Sequence, residues 1–152
     1  MAAASLCNPF NLVESDRNFS RGFNRIYDMN LAKSLRGIFS QHAPLFAHLK
    51  HPFQPELAAS CRSIREFDEA LTRVTFGWPS VDDYYKGASS CDRVPGVRTP
   101  LLCIQAADDP IAPIHATPFD RLQANENCVL VVTPSGGHLG GKGGRLPVLN
   151  MR

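Results

Sequence analysis

Two short, uninterrupted apolar runs in the last third of the chain constrain its fold more than any other feature. They are residues 101–104 (Leu-Leu-Cys-Ile) and 128–132 (Cys-Val-Leu-Val-Val), with a weakly helical stretch at residues 118–125 between them. Continuous apolar runs of this length predict strands buried on both faces, and a helix between such strands is typical of a parallel βαβ unit. The sequence therefore predicts an α/β fold, with strands at residues 98–107 and 128–133.

The chain before this unit divides into a short strand and a longer helical part. Residues 1–9 form a small apolar run that ends at a turn signal, Asn-Pro, and this pattern predicts a short buried strand. From residue 12 to about residue 92 the apolar period is helical. In one predicted helix Asn30 is the candidate N-cap, and the apolar face is Leu31, Leu35, Ile38 and Phe39.

A second helix is predicted by a capping box. Ser63 and Glu66 have the spacing at which each side chain accepts an N–H group of the first turn. Behind this start, Ile64, Phe67, Leu71 and Val74 fall on one face of the helix. The sequence Gly-Trp-Pro at residues 77–79 is expected to end it.

Composition excludes several classes of protein. Lys and Arg total 16 against 14 Asp and Glu, a net charge of +2 without a concentrated basic patch, so we expect no nucleic-acid partner. No apolar run approaches the ~20 residues of a membrane span, and no secretory signal is visible. Five irregularly spaced cysteines favour reduced thiols in a reducing intracellular compartment, and neither they nor the histidines have metal-ligand spacing. We expect no metal and no cofactor.

An acid and a histidine follow the two predicted strands. Asp109 lies in Asp-Asp-Pro after the first, and His138 lies in Ser-Gly-Gly-His after the second. Carboxyl ends of parallel strands collect catalytic groups at one edge of a sheet, so the two side chains are candidates for a general base and its orienting acid. The alternatives are structural: Asp before Pro commonly opens a loop, and a histidine in a glycine-rich loop is commonly solvated.

Five motifs in order resemble the YheT-like branch of the α/β-hydrolase superfamily, which includes plant embryogenesis-associated and animal ABHD lipase-like proteins. They lie at residues 5–10 (SLCNPF), 65–68 (REFD), 82–85 (DDYY), 104–110 (IQAADDP) and 133–140 (TPSGGHLG). The resemblance implies a lipase- or esterase-like serine hydrolase of carboxylic esters such as acylglycerols, with Asp109 as triad acid and His138 as triad base. It also implies the following division: residues 1–11 an end strand of the core, 12–92 a helical lid, 93–140 a core βαβ unit, and 141–152 a divergent, disordered tail.

The nucleophile is missing from this pattern. The superfamily carries its serine in a Gly-x-Ser-x-Gly elbow, and the nearest sequence, around Ser89, lacks the last glycine. We therefore expect a C-terminal fragment that is inactive alone, whose full-length relative takes a small-molecule ester or lipid. The alternative is a non-catalytic lipid- or partner-binding module, whose pocket would be lined by aromatic side chains: Phe39, Phe46, Phe53, Phe67, Trp78, Tyr84 and Tyr85.

Overall fold

The computed structural model of the chain describes residues 1–46 and 53–140, and its strands form a three-stranded parallel sheet. The strands are β1 (Ala3–Leu6), β2 (Leu101–Ala106) and β3 (Cys128–Thr133), in the order β1-β2-β3. The helix between β2 and β3 spans Phe119–Ala124. The predicted α/β class and the parallel βαβ unit are thus confirmed.

The register of the sheet aligns the carboxyl ends of all three strands. Leu6 pairs with Ile104 in β2, and Ala106, the last residue of β2, pairs with Thr133, the last residue of β3. Because the strands are parallel, the segments that leave them emerge at the same edge of the sheet. This register places the loops after residues 6, 106 and 133 side by side.

Burial of the sheet differs from the prediction. Cys103 and Leu130 lie in an apolar core, but Leu102 is 39% exposed and Val129 47% exposed. The prediction of burial on both faces is therefore wrong for these strands. The prediction that β1 is buried is also wrong, because its residues are exposed apart from a half-buried Ser5. Among the described residues β1 pairs only with β2 and is an edge strand, which explains its exposure.

The helices carry the following bounds. They are α1 (Leu12–Phe19), α2 (Asn24–Phe46), α3 (Pro55–Ser60), α4 (Ile64–Phe67), α5 (Arg73–Thr75), α6 (Val81–Ala88) and α7 (Phe119–Ala124), with a π-helical turn at Asp68–Thr72 and 3₁₀ turns at Cys91–Gly96 and Ile114–Ala116. None of the helices within residues 1–46 and 53–140 is both long and apolar enough to cross a bilayer.

The chain forms two compact units. Unit 1 consists of Met1–Asn18 and the described chain from Ala88 onward, and unit 2 is Phe19–Gly87. The core of unit 1 is built from the sheet and α7, with the buried side chains of Phe10, Val94, Cys103, Leu122 and Leu130. The four-segment division expected from the sequence stays a prediction, and its tail, residues 141–152, lies outside the described residues.

Unit 2 is helical, and its longest helix corrects one prediction. Asn30 does not cap a helix, since α2 begins at Asn24, directly after a turn at Gly22 with φ of +51°. The buried side of α2 carries Ala32 and Phe39, whereas Ile38 is exposed. The preference of Asn for the N-cap is a local signal. The turn at Gly22 starts the helix upstream of Asn30, so that signal is not used.

The capping box at Ser63 is observed in unit 2. Ser63 Oγ accepts the Glu66 N–H at 3.1 Å, while Glu66 Oε2 accepts the N–H of Arg62 at 2.7 Å in place of the expected Ser63 N–H. The helical run that follows passes through the π-helical turn and ends at Thr75, before the Gly-Trp-Pro sequence. It buries Phe67, Leu71 and Val74 as predicted, while Ile64 is half-buried.

Candidate active site

Asp109 is held in a tight turn three residues beyond the end of β2. Its Oδ1 accepts the backbone N–H of Ile111 at 2.8 Å and that of Ala112 at 3.0 Å, and its own N–H donates to the Ala106 carbonyl. The side chain is only 1% exposed. One carboxylate oxygen therefore fixes the turn, and the second, Oδ2, is left for another partner.

His138 lies in the glycine-rich loop that follows β3. Gly137 has φ of +56°, a left-handed conformation that favours glycine, and its N–H donates to Asp108 Oδ1 at 2.8 Å. This hydrogen bond lowers the pKa of the Asp108 carboxyl from its ordinary value of 3.8. The Asp-Asp pair thus contacts the histidine loop twice: Asp108 binds its backbone, and Asp109 binds the imidazole.

The two predicted site residues meet directly. His138 Nδ1 lies 2.9 Å from Asp109 Oδ2, and the histidine side chain is 27% exposed while the carboxylate is buried. In the tautomer in which Nδ1 carries the proton, Nδ1 donates to Oδ2 and the lone pair lies on Nε2. The pair has the arrangement of an imidazole oriented by an acid, although its catalytic role stays a prediction.

Cys7, which the sequence reasoning did not select, joins the same group. It follows β1 directly with φ of +48°, and its N–H continues the ladder by donating to the Ile104 carbonyl at 2.8 Å. Its Sγ accepts the Leu139 N–H at 3.4 Å and lies 4.0 Å from the Gly137 carbonyl. The available signal was its place after a strand, which Asp109 and His138 share.

Gln105 holds the backbone of Asn8, the residue that follows Cys7. Its side chain is buried, and it accepts the Asn8 N–H at 2.8 Å and donates to the Asn8 carbonyl at 2.9 Å. These two hydrogen bonds tie the segment that leaves β1 to β2. They explain why a buried amide is tolerated in an otherwise apolar strand, since both of its polar atoms are satisfied.

The other candidate side chains do not join the pair. Ser89 is buried, and its Oγ accepts the N–H of Leu12 at the start of α1, a structural role. His42 and His115 are exposed, and His48 and His51 lie outside the described residues. In the part of the chain that the structure describes, the one group of metal-ligating side chains is Cys7, Asp109 and His138.

Known proteins similar to this chain include a phospholipase, a monoacylglycerol lipase and a plant protein named for embryogenesis. The chain is 51% identical over 140 residues to embryogenesis-associated protein EMB8 of Picea glauca, an alignment that covers 91% of the chain and 31% of that protein. It is 34% identical over 141 residues to phospholipase ABHD3 of Mus musculus, covering 92% and 34%. It is 34% identical over 143 residues to monoacylglycerol lipase of Saccharomyces cerevisiae, covering 91% and 31%.

These alignments span nearly the whole chain but only about a third of each relative. No protein-family model and no solved structure matches the chain significantly.

Proposed function

Because this chain is homologous to α/β-hydrolases and corresponds to their C-terminal portion, we propose that it supplies the acid and the base of a serine-type ester hydrolase. Asp109 is the acid and His138 is the base. The observation that carries the proposal is the 2.9 Å contact between Asp109 Oδ2 and His138 Nδ1 at the shared carboxyl edge of the sheet.

The geometry suits general-base catalysis. His138 Nε2 takes the proton of a hydroxyl nucleophile as that hydroxyl attacks the ester carbonyl, and then returns the proton to the leaving alcohol. Asp109 keeps the Nδ1–H tautomer in place and stabilises the imidazolium that forms between the two transfers. Because Asp109 is itself held by two backbone N–H groups, it keeps its orientation while the proton moves.

The sequence holds no Gly-x-Ser-x-Gly motif. We infer that the nucleophile and the oxyanion-hole donors come from polypeptide other than these 152 residues. An acid and a base without these groups lack the electrostatic stabilisation that is usually the largest catalytic contribution. The 152 residues alone are therefore expected to give no measurable turnover of p-nitrophenyl esters and no labelling by a fluorophosphonate probe.

The substrate class follows from the relatives. One is named a phospholipase, another a monoacylglycerol lipase and a third a medium-chain fatty acid ethyl ester synthase/esterase, and the last two names describe fatty-acyl carboxylic esters. We propose the same class of ester for the enzyme to which this chain contributes.

A chimera tests the proposal. Residues 1–140 of this chain replace the aligned segment of yeast monoacylglycerol lipase, and hydrolysis of a monoacylglycerol is measured. We expect activity in the chimera, with kcat lowered about 10³–10⁴-fold by Asp109→Asn and by His138→Gln. The matched control is Asp120→Asn, an exposed carboxylate on α7, which should leave kcat within about twofold. Retained activity in either site variant of an active chimera would refute the assignment.

The structure of unit 2 gives little support to the alternative, a lipid-binding module without catalysis. Phe39, Phe67 and Tyr85 are buried in packed structure, and Phe39 contacts Phe67 edge-to-face at 6.2 Å. A 420 Å³ cavity in unit 2 is lined by Leu57, Cys61, Ala70 and Val81, but also by the polar or charged side chains of Gln54, Ser60, Arg65, Glu66 and Glu69. We expect no saturable binding of a fluorescent fatty acid by the chain, and saturation at one equivalent would favour the alternative.

A further inference from the structure

A thiol, an imidazole and a carboxylate converge at the carboxyl edge of the sheet. One ligand atom each from Cys7, His138 and Asp109 lie within 4.8 Å of one another. The proposed ester hydrolysis uses the imidazole and the carboxylate but gives the thiol no part. The cluster contains one more chemically active group than the hydrolase chemistry requires.

The three donors match the ligand preferences of zinc. Zn²⁺ binds thiolate sulfur at about 2.3 Å, imidazole nitrogen at about 2.0–2.1 Å and carboxylate oxygen at about 2.0–2.2 Å. In a tetrahedron these bonds place ligand atoms roughly 3.3–3.6 Å apart. Asp109 Oδ2 and His138 Nδ1 are already 2.9 Å apart, so binding needs a small separation of this pair and a shift of the Cys7 sulfur toward it.

Charge also favours a divalent cation here. A Cys7 thiolate and the Asp109 carboxylate carry two negative charges, which Zn²⁺ neutralises, and the neutral imidazole completes the set. Binding releases the thiol proton to solvent as the sulfur–zinc bond forms. Three protein ligands leave a fourth tetrahedral position for water, as in open zinc sites.

Neighbouring backbone groups already orient two of the three ligands. The Ile111 and Ala112 N–H groups hold Asp109 Oδ1, and the Leu139 N–H donates to Cys7 Sγ, a contact that strengthens when the sulfur is anionic. His138 lies in a loop with two glycines before it and is partly exposed, which provides both adjustment and an entry path.

We propose that Cys7, Asp109 and His138 form a zinc site that competes with the Asp109–His138 hydrogen bond. Nδ1 is the ring nitrogen next to the carboxylate, so the metal takes the place of the proton that Nδ1 and Oδ2 share. That proton leaves to solvent, and the imidazole stays neutral by taking a proton at Nε2. Zinc binding thereby prevents Asp109 and His138 from acting as acid and base. This inhibitory consequence rests on the proposed function, whereas the binding itself does not.

Cobalt titration of the full chain, kept reduced with a phosphine, tests the binding. We expect a thiolate-to-cobalt charge-transfer band that saturates at one equivalent and is removed by Zn²⁺. Cys7→Ser should abolish the band, and Asp109→Asn or His138→Gln should weaken binding at least about tenfold. Cys91→Ser, which changes a half-buried thiol outside the cluster, should keep the band. Absence of the band, or its persistence in folded Cys7→Ser, would overturn the site.

Alkylation gives a second measurement that needs no variant. One equivalent of Zn²⁺ should slow carbamidomethylation of Cys7 by iodoacetamide at least about tenfold relative to Cys91, as followed by peptide mass spectrometry. Equal rates with and without zinc would also overturn the site. In the chimera, zinc should inhibit hydrolysis. Zinc binding in a chimera that is inactive without metal would count only against the proposed function, and hydrolysis without zinc binding only against the zinc site.

Discussion

Replacing Asp109 by alanine and by asparagine separates its two roles. In Asp109→Ala the N–H groups of Ile111 and Ala112 lose their acceptor, and Ala112 is buried. A buried donor left without a partner costs about 1–3 kcal/mol. The lost contact to His138 adds less, because the partly exposed imidazole can bind water instead. We expect Asp109→Ala to lower the free energy of unfolding by about 2–5 kcal/mol.

Asp109→Asn should behave differently. The amide oxygen still accepts both N–H groups, so the loss of stability should stay below about 1.5 kcal/mol. The amide NH₂ now faces His138 Nδ1 and donates to it, which moves the imidazole proton to Nε2. The asparagine variant therefore keeps the turn and removes the lone pair that the base needs.

Two assays measure these effects. Urea unfolding followed by far-UV circular dichroism gives the stability of each variant, with Asp120→Ala as the exposed control, expected within about 0.5 kcal/mol of the natural chain. Two-dimensional ¹H–¹⁵N spectra of the imidazole report which nitrogen carries the proton. An alanine variant as stable as the natural chain would refute the role of the carboxylate in the turn. An asparagine variant that keeps the Nδ1–H tautomer would refute the role of the pair in orienting the ring.

Two further predictions concern the strand that positions this site. Gln105→Leu should cost about 1–3 kcal/mol in urea unfolding, because the Asn8 N–H and carbonyl lose their partners. A Gln105→Leu variant as stable as the natural chain would contradict this account. Burial raises the pKa of the Cys103 thiol from 9.0 to about 11, so the unfolded chain loses this proton first as pH rises. Stability should be independent of this group well below pH 9.0 and fall by roughly 2 kcal/mol by pH 11, and an unchanged pH slope in Cys103→Ala would contradict it.

Local signals in the sequence determined most of the elements. The apolar run at residues 128–132 specified β3, and Ser63 with Glu66 specified a helix start, because strand formation and capping depend on residues close in the chain. The same signals selected Asp109 and His138, since each lies within a few residues of the end of a strand. Parallel pairing was predictable as well, because it follows from the βαβ pattern.

The tertiary structure decided what depends on distant segments. Cys7 lies 132 residues from Leu139, and their contact exists because the register of β1 on β2 and β2 on β3 aligns all three strand ends. The exposure of Leu102 and Val129 likewise depends on which segments cover each face of the sheet, and residue type does not encode that. The sequence alone therefore selected Asp109 and His138 as a candidate pair, whereas only the folded sheet placed the Cys7 thiol beside them, because hydrogen-bond register between strands is set by the whole sheet.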